Sequence, residues 1–264
     1  MPTHPAHAHR LLASPLRARR EWGSLIELIP SSTELVTPGA MARQGVELLS
    51  NAANARRFLT VLSSAQSHLR DARIPVLIQH PKEALRLSPI DELSRSQRRW
   101  LGQIGLELYF AQLFRSEVTV VDLWPSRLGV DEAGDAVWAP RPLYLRWDAS
   151  FRQGLQDVYA GFFLDDESRF EHGVSALGLG GVGDILVGHF GMGNQRSVRF
   201  GTDALRQTLV AMADQRKSTD DALHPNFIAF GLYLVALHDL LEALGMNFDV
   251  RAAFMRSYPE SPQR

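Results

Sequence analysis

The chain reads as an α+β protein that is mostly helical, and three observations predict that class. Apolar residues recur at helical spacing over long stretches, as at Trp100, Ile104, Leu108 and Ala111, and again at Phe227, Phe230, Leu234, Leu237, Leu241 and Leu244. Short apolar runs of strand type cluster between residues 118 and 147. Helical patterns flank that cluster on both sides, so helices and strands are segregated along the chain.

The elements follow in order. Residues 1–23 hold four arginines and three histidines ahead of the first acid, Glu21, and read as a solvated basic arm, with peripheral contact to a lipid surface or a partner as the alternative. From residue 39 to about 62 the pattern is helical, through Met41, Val46, Leu49, Ala53, Phe58 and Leu62. Ile74, Val76 and Ile78 alternate around Pro75, which suits a short edge strand. Ser94 is placed to cap a long buried helix that runs to Arg115. Residues 118–121 read as a strand. Residues 128–130 and 136–138 flank D-E-A-G-D, a hairpin turn in which Gly134 supplies a positive φ. Leu143, Leu145 and Trp147 alternate as one more strand.

The remainder is helical. Phe151, Leu155, Val158 and Phe162 share one face, and Phe170, Val174 and Leu177 make a second. Thr202 or Asp203 can cap a helix carrying Leu205, Leu209 and Met212. The last long helix begins near Pro225 and stops at Gly245, a residue suited to the left-handed position past a helix end.

Composition narrows the function classes. Apolar residues are 45% of the 264 and charged residues 22%, an ordinary globular mixture. The net charge of -1 gives no general pull toward nucleic acid. Cysteine is absent, which excludes disulfides, thiolate metal sites and a cysteine nucleophile, and suits a reducing compartment. No apolar run reaches the roughly 18 residues that cross a bilayer, and the N-terminus lacks the apolar segment of a signal peptide, so a cytoplasmic protein without a transmembrane segment is expected. Of 28 basic residues only Lys82 and Lys217 are lysine.

Several familiar sites are missing. There is no G-x-S-x-G elbow, no H-E-x-x-H helix and no lysine after a glycine-rich turn. No metal site is expected. His238 lies off the main stripe of its helix and reads as a structural histidine. Asp165, Asp166 and Glu167 fall at a helix start, where acids complement the dipole. Gly178, Gly180 and Gly183 match G-x-G-x-x-G, and Asp203 lies at the distance of a ribose-binding acid. A dinucleotide loop, however, needs a strand before its first glycine. Here a helical pattern precedes Gly178, so the stretch reads as a helix terminus followed by a loose connection.

Three ordered segments carry a resemblance. They are L-G-Q-I-G-L-E-L-Y-F-A-Q-L-F-R-S-E-V-T-V-V-D-L-W-P-S-R-L-G-V, V-W-A-P-R-P-L-Y-L-R-W-D-A-S-F-R-Q-G-L-Q-D-V-Y-A-G-F-F-L-D-D, and H-P-N-F-I-A-F-G-L-Y-L-V-A-L-H-D-L-L-E-A-L-G-M-N-F-D-V. In that order they resemble three parts of the UbiB/AarF atypical kinases. These are the helix, strand and A-D-P-H-P-G-N catalytic loop; the L-D-F-G-M-V-G-R-L segment with the helix after it; and the late helix ending in a D-P-D-F-D-like turn. N-A-A-N-A-R-R-F with the following I-P-V is similar to the family's E-A-x-N helix and next strand. The likeness spans roughly residues 40 to 255 and rests on order and spacing.

The resemblance implies a truncated protein-kinase-like fold with a small β patch. Residues 24–93 would form a reduced N-terminal-lobe-like region, and residues 94–264 a kinase-like helical C-terminal lobe. Asp122 then matches the catalytic-loop aspartate and Pro125 the loop's second proline. Arg127 stands in place of the metal-binding asparagine, and Pro140, Arg141 and Pro142 in place of D-F-G. Asn51 stands in place of the helix glutamate, and no lysine precedes Lys82. Phosphoryl transfer needs metal ions bridging the phosphates, and a guanidinium has no lone pair to give a metal. The expectation is therefore a catalytically degenerate pseudokinase. It would act as an accessory or regulatory binding protein in isoprenoid-quinone or lipid metabolism, with a protein or a lipid or isoprenoid small molecule as partner and no required cofactor. Arg127 and Arg141 either contact an anion such as the phosphates of ATP, or pair with Asp122 or Asp148 and close the cleft. Two alternatives stand beside this reading: an atypical ATPase or phosphotransferase using an arginine-lined cleft, and a helical protein-interaction module that binds no nucleotide.

Overall fold

A computed structural model describes residues 54–80, 87–216 and 224–259, with isolated positions between 39 and 51. The basic arm and both lysines lie outside the described residues. The protein is α+β and mostly helical, with three small sheets among the described residues.

Helical positions between 39 and 51 do not continue unbroken to residue 62 as the periodicity suggests. Asn54 interrupts them, leaving helical geometry and accepting the Arg57 N–H at 3.0 Å to cap a new helix, α1 (Ala55–Asp71). Phe58, Leu62, Ala65 and Leu69 form its buried face, which carries the helix past the expected end. The strand expected around Pro75 shrinks to β1 (Leu77–Ile78), although Ile74 and Val76 are buried before it.

The helix α2 (Arg95–Arg115) is the axis of the fold. Ser94 caps it as expected, with a reciprocal bond from the Gln97 side chain. Its middle, from Leu106 to Leu113, is buried all round, because other helices pack on several sides. After it come β2 (Val118–Val120), β3 (Leu128–Val130), β4 (Ala136–Trp138) and β5 (Tyr144–Arg146). β3 and β4 form the expected hairpin, with Gly134 at φ +91° and Asp131 Oδ1 accepting from the Ala133 and Asp135 N–H groups. β1 adds in parallel to β4, and β2 pairs antiparallel with β5 in the register Val118↔Arg146, Thr119↔Leu145 and Val120↔Tyr144.

Two helices follow, α3 (Ala149–Leu164) and α4 (Glu167–Ala176), and they pack on each other more extensively than any other pair. Glycines permit the approach. A Cβ at Gly173 would lie 2.6 Å from the Gly154 carbonyl oxygen and from Val158 N, and one at Gly161 would strike the Phe170 backbone. Asp165 ends α3 in the left-handed region and Asp166 caps α4, so these acids are structural. Gly178, at φ +68°, follows α4 as a helix terminus should. The loose connection expected next is in fact packed. It contains α5 (Gly183–Gly188) and buries Leu179, Val182, Leu186, Val187 and Phe190.

The last elements are β6 (Val198–Arg199), α6 (Thr202–Arg216), α7 (Phe227–Leu244), β7 (Asn247–Phe248) and α8 (Val250–Ser257). Thr202 begins α6 without capping it from its own side chain. Instead both its N–H and its hydroxyl donate to the Glu242 carboxylate of α7, at 2.9 and 2.8 Å. Gly245 ends α7 at φ +64°, as expected. Among the described residues α7 is the helix long and apolar enough to cross a membrane, but it carries His238, Asp239 and Glu242, and 67% of it is buried in the fold. One continuous apolar core runs from Phe58 to Tyr258.

Candidate functional site

The loop after β2 holds Asp122, and its backbone is fixed from several directions. Gln112 on α2 clamps β2: its Nε2 donates to the Val120 carbonyl at 3.2 Å, and its Oε1 accepts the Val120 N–H at 2.9 Å. The same Nε2 donates to the Tyr233 hydroxyl at 2.8 Å, which ties β2 to α7. The Trp147 indole donates to the Thr119 hydroxyl at 2.7 Å, and the Trp138 indole to the Asp122 carbonyl at 2.8 Å. These groups are buried and apolar side chains surround them, so each bond also satisfies a group that water cannot reach.

Asp122 itself is fully buried, yet its carboxylate has partners on both oxygens. The Arg141 backbone N–H donates to Oδ2 at 2.6 Å. The Arg141 side chain adds Nε to Oδ2 at 3.1 Å and Nη2 to Oδ1 at 2.6 Å. This is a fork-on-carboxylate pair, the arrangement in which a guanidinium binds most strongly. Burying a carboxylate costs several kcal/mol unless it is paired in this way. The pair sets a permanent positive charge against both oxygens, which opposes a cation at the same place.

The other sequence candidates are placed as follows. Of the two roles open to Arg141, the structure gives it the pairing with Asp122. Arg127 forms no ion pair with Asp122 or Asp148. Its carbonyl accepts the Ala139 N–H at 2.8 Å, and its Nε is shielded from solvent without an acceptor. Asp148 instead caps α3, accepting from Ser150 N at 2.9 Å and Ser150 Oγ at 2.5 Å, and the Ser150 hydroxyl holds its carboxyl below the usual range. Asn51 donates from Nδ2 to the Tyr144 carbonyl at 2.9 Å, which ties that position to β5. Among the described residues no three His, Asp or Glu side chains converge as a metal site would require.

Two histidines form a buried pair elsewhere. His189, after α5, lies with its ring 5.3 Å from that of His238 on α7. His238 Nδ1 is 3.3 Å from the Gly201 carbonyl, and its Nε2 has no partner. Burial pushes the His238 pKa down to about 4, and burial together with the neighbouring His238 holds that of His189 well below normal. Both rings are neutral at pH 7, and Phe190 and Phe200 pack against them. This is the structural role expected for His238.

A second polar feature is a groove of roughly 520 Å³ between the start of α2 and the β6–β7 pair. Arg95 and Arg99 line one wall, and Arg196 and Arg199 the other. No local pattern joins R-S-Q-R-R to the distant R-S-V-R. The sole hint is that the first turn of α2 carries arginine and no acid, although acids are favoured there.

Comparison of the sequence with models of known protein families finds no match, and comparison with curated proteins finds none either.

Proposed function

We propose that the chain is a catalytically degenerate relative of the UbiB/AarF kinases that works as an accessory or regulatory binding protein. The observation that carries this reading is the Asp122–Arg141 pair. A carboxylate in that position serves phosphoryl transfer only if it is free to take a proton or hold a metal. Here both oxygens are consumed by a cation that is always protonated. The order of elements around it supports the kinship: a long helix, a strand, the Asp122 loop, a hairpin, and a strand that returns to pair with the first. Under this reading the partner is a protein or a lipid-like small molecule, and the setting is cytoplasmic.

A second reading, an ATPase or transferase using an arginine-lined cleft, has one observation in its favour. Arg127 Nε is buried and has no acceptor, so it has hydrogen-bonding capacity to spare.

The test combines ATP turnover with thermal unfolding in ATP, with and without Mg²⁺. The proposal expects no turnover and no Mg²⁺-dependent rise in Tm. A Mg²⁺-dependent rise of several degrees that is lost in Asp122→Asn would overturn it. Phosphate release that survives Asp122→Asn but disappears in Arg127→Gln would favour the second reading.

A further inference from the structure

We propose that the groove between α2 and the β6–β7 pair is a binding site for a small anion carrying two or more phosphate groups. The starting observation is charge that the fold leaves unused. Among the described residues Arg95, Arg99 and Arg196 make no ion pair or side-chain hydrogen bond, and Arg199 donates only to the Gly245 carbonyl at 3.2 Å. Three arginines elsewhere in the fold are spent on buried carboxylates: Arg141 on Asp122, Arg169 on Asp157 and Arg256 on Glu107. The chain as a whole is almost neutral, so four arginines around one concavity are a local excess.

The one carboxylate in the groove does not cancel them. Asp249 caps α8, accepting the Ala252 N–H at 2.9 Å, and it forms no salt bridge with the four. Arg95 and Arg99 stand four residues apart on one helix, close enough to repel each other. They also lie at the positive end of the α2 dipole, with no acid in that turn. An anion in the groove relieves both conditions at once.

The kind of anion follows from the lining. Guanidinium forks match the paired oxygens of phosphate, and they face the groove from two walls that belong to different elements. A ligand with two charged groups can place one on each wall at once. The volume lies within the range of small-molecule sites. Phe248 lines the groove but is buried, packed on α2 at Gly102, so no exposed ring offers a base-stacking platform. The recognition is therefore for the phosphates and not for a nucleobase. A free diphosphate ester and a lipid diphosphate headgroup present the same chemistry.

The experiment is calorimetric titration of the full chain with inorganic pyrophosphate at low ionic strength. It is repeated on Arg95→Gln/Arg99→Gln, on Arg196→Gln, and on Arg56→Gln as a control on the exposed face of α1. The expected result is saturable binding by the parent and the control, weakened by about tenfold or more in both groove variants. Without ligand the four proteins should unfold within about two degrees of one another, because the altered side chains are exposed and make no bond to the fold. A second arm offers vesicles containing a lipid diphosphate. Capture of the parent that pyrophosphate reverses assigns the ligand to a membrane source, and pyrophosphate binding without capture assigns it to a soluble one. Absence of pyrophosphate binding, or equal binding by the groove variants, overturns the proposal. So does retention on an acidic peptide that pyrophosphate does not compete away.

Discussion

The Asp122 loop and the α2–β6 groove treat arginine in opposite ways. In the loop, Arg141 spends its main chain and its guanidinium on one buried carboxylate. In the groove, Arg95, Arg99 and Arg196 spend nothing on the protein. The difference teaches that a buried carboxylate can take up an arginine completely, whereas arginines on the surface of the groove keep their charge exposed. A group already satisfied internally must be unpaired before it can serve a ligand, and in a buried site that step is costly. Exposed, unsatisfied cations face no such cost. Substitutions should therefore divide cleanly: large losses of stability in the interior, and small ones with loss of ligand binding in the groove.

The largest effect should come from Arg141→Ala. It strands the Asp122 carboxylate in the core, and chemical denaturation should report a loss of about 3–5 kcal/mol. Asp122→Asn/Arg141→Met should recover much of that loss. A parent-like midpoint for Arg141→Ala would mean that the pair contributes nothing and that the contrast with the groove is false.

Next in size is the response to acid. His238 is pushed down to about 4 in the folded chain, below its ordinary value near 6.5. The unfolded chain therefore binds protons first as pH falls. The stability that follows from the neutral ring is complete above pH 6.5 and is lost progressively between 6.5 and 4, by on the order of 3 kcal/mol. Urea midpoints at pH 7, 6 and 5 should fall accordingly, and His238→Gln should flatten that slope.

Gln112→Leu comes third. It removes both bonds to Val120 and leaves buried backbone groups unpaired, for a loss of about 1–3 kcal/mol. The smallest effect belongs to Arg95→Gln/Arg99→Gln, whose stability should change by no more than about 0.5 kcal/mol. A large loss there would show that the groove arginines are structural after all.

What was legible in the sequence was local chemistry. Ser94, Gly134, Gly178 and Gly245 act within one turn of their own positions, and each does what its residue type dictates. The class of fold and the strand, loop and hairpin around Asp122 follow from periodicity over short windows. What escaped depends on partners far along the chain. Nothing near Thr202 indicates that Glu242 will meet it. The break at Asn54 is hidden because apolar spacing continues through it. The glycines from Gly178 to Gly193 suggest looseness, yet Leu179, Val182 and Leu186 between them find the core. The Asp122–Arg141 pair was half legible: the sequence named both residues, but left open whether they meet each other or a ligand.

The glycine-packed helices α3 and α4 carry a consequence for the order in which the chain folds. Only Asp165 and Asp166 separate them, so their shared surface forms between residues that are already neighbours. Contacts of such short sequence separation have little loop entropy to overcome and form early. The Asp122 loop is different, because β2 must wait for β5, and Gln112 must find Tyr233 across most of the C-terminal half. Pulse-labelled hydrogen exchange should protect α3 and α4 before β2. The region that most resembles an active centre then acquires its shape after the α3 and α4 pair, once its distant partners have met.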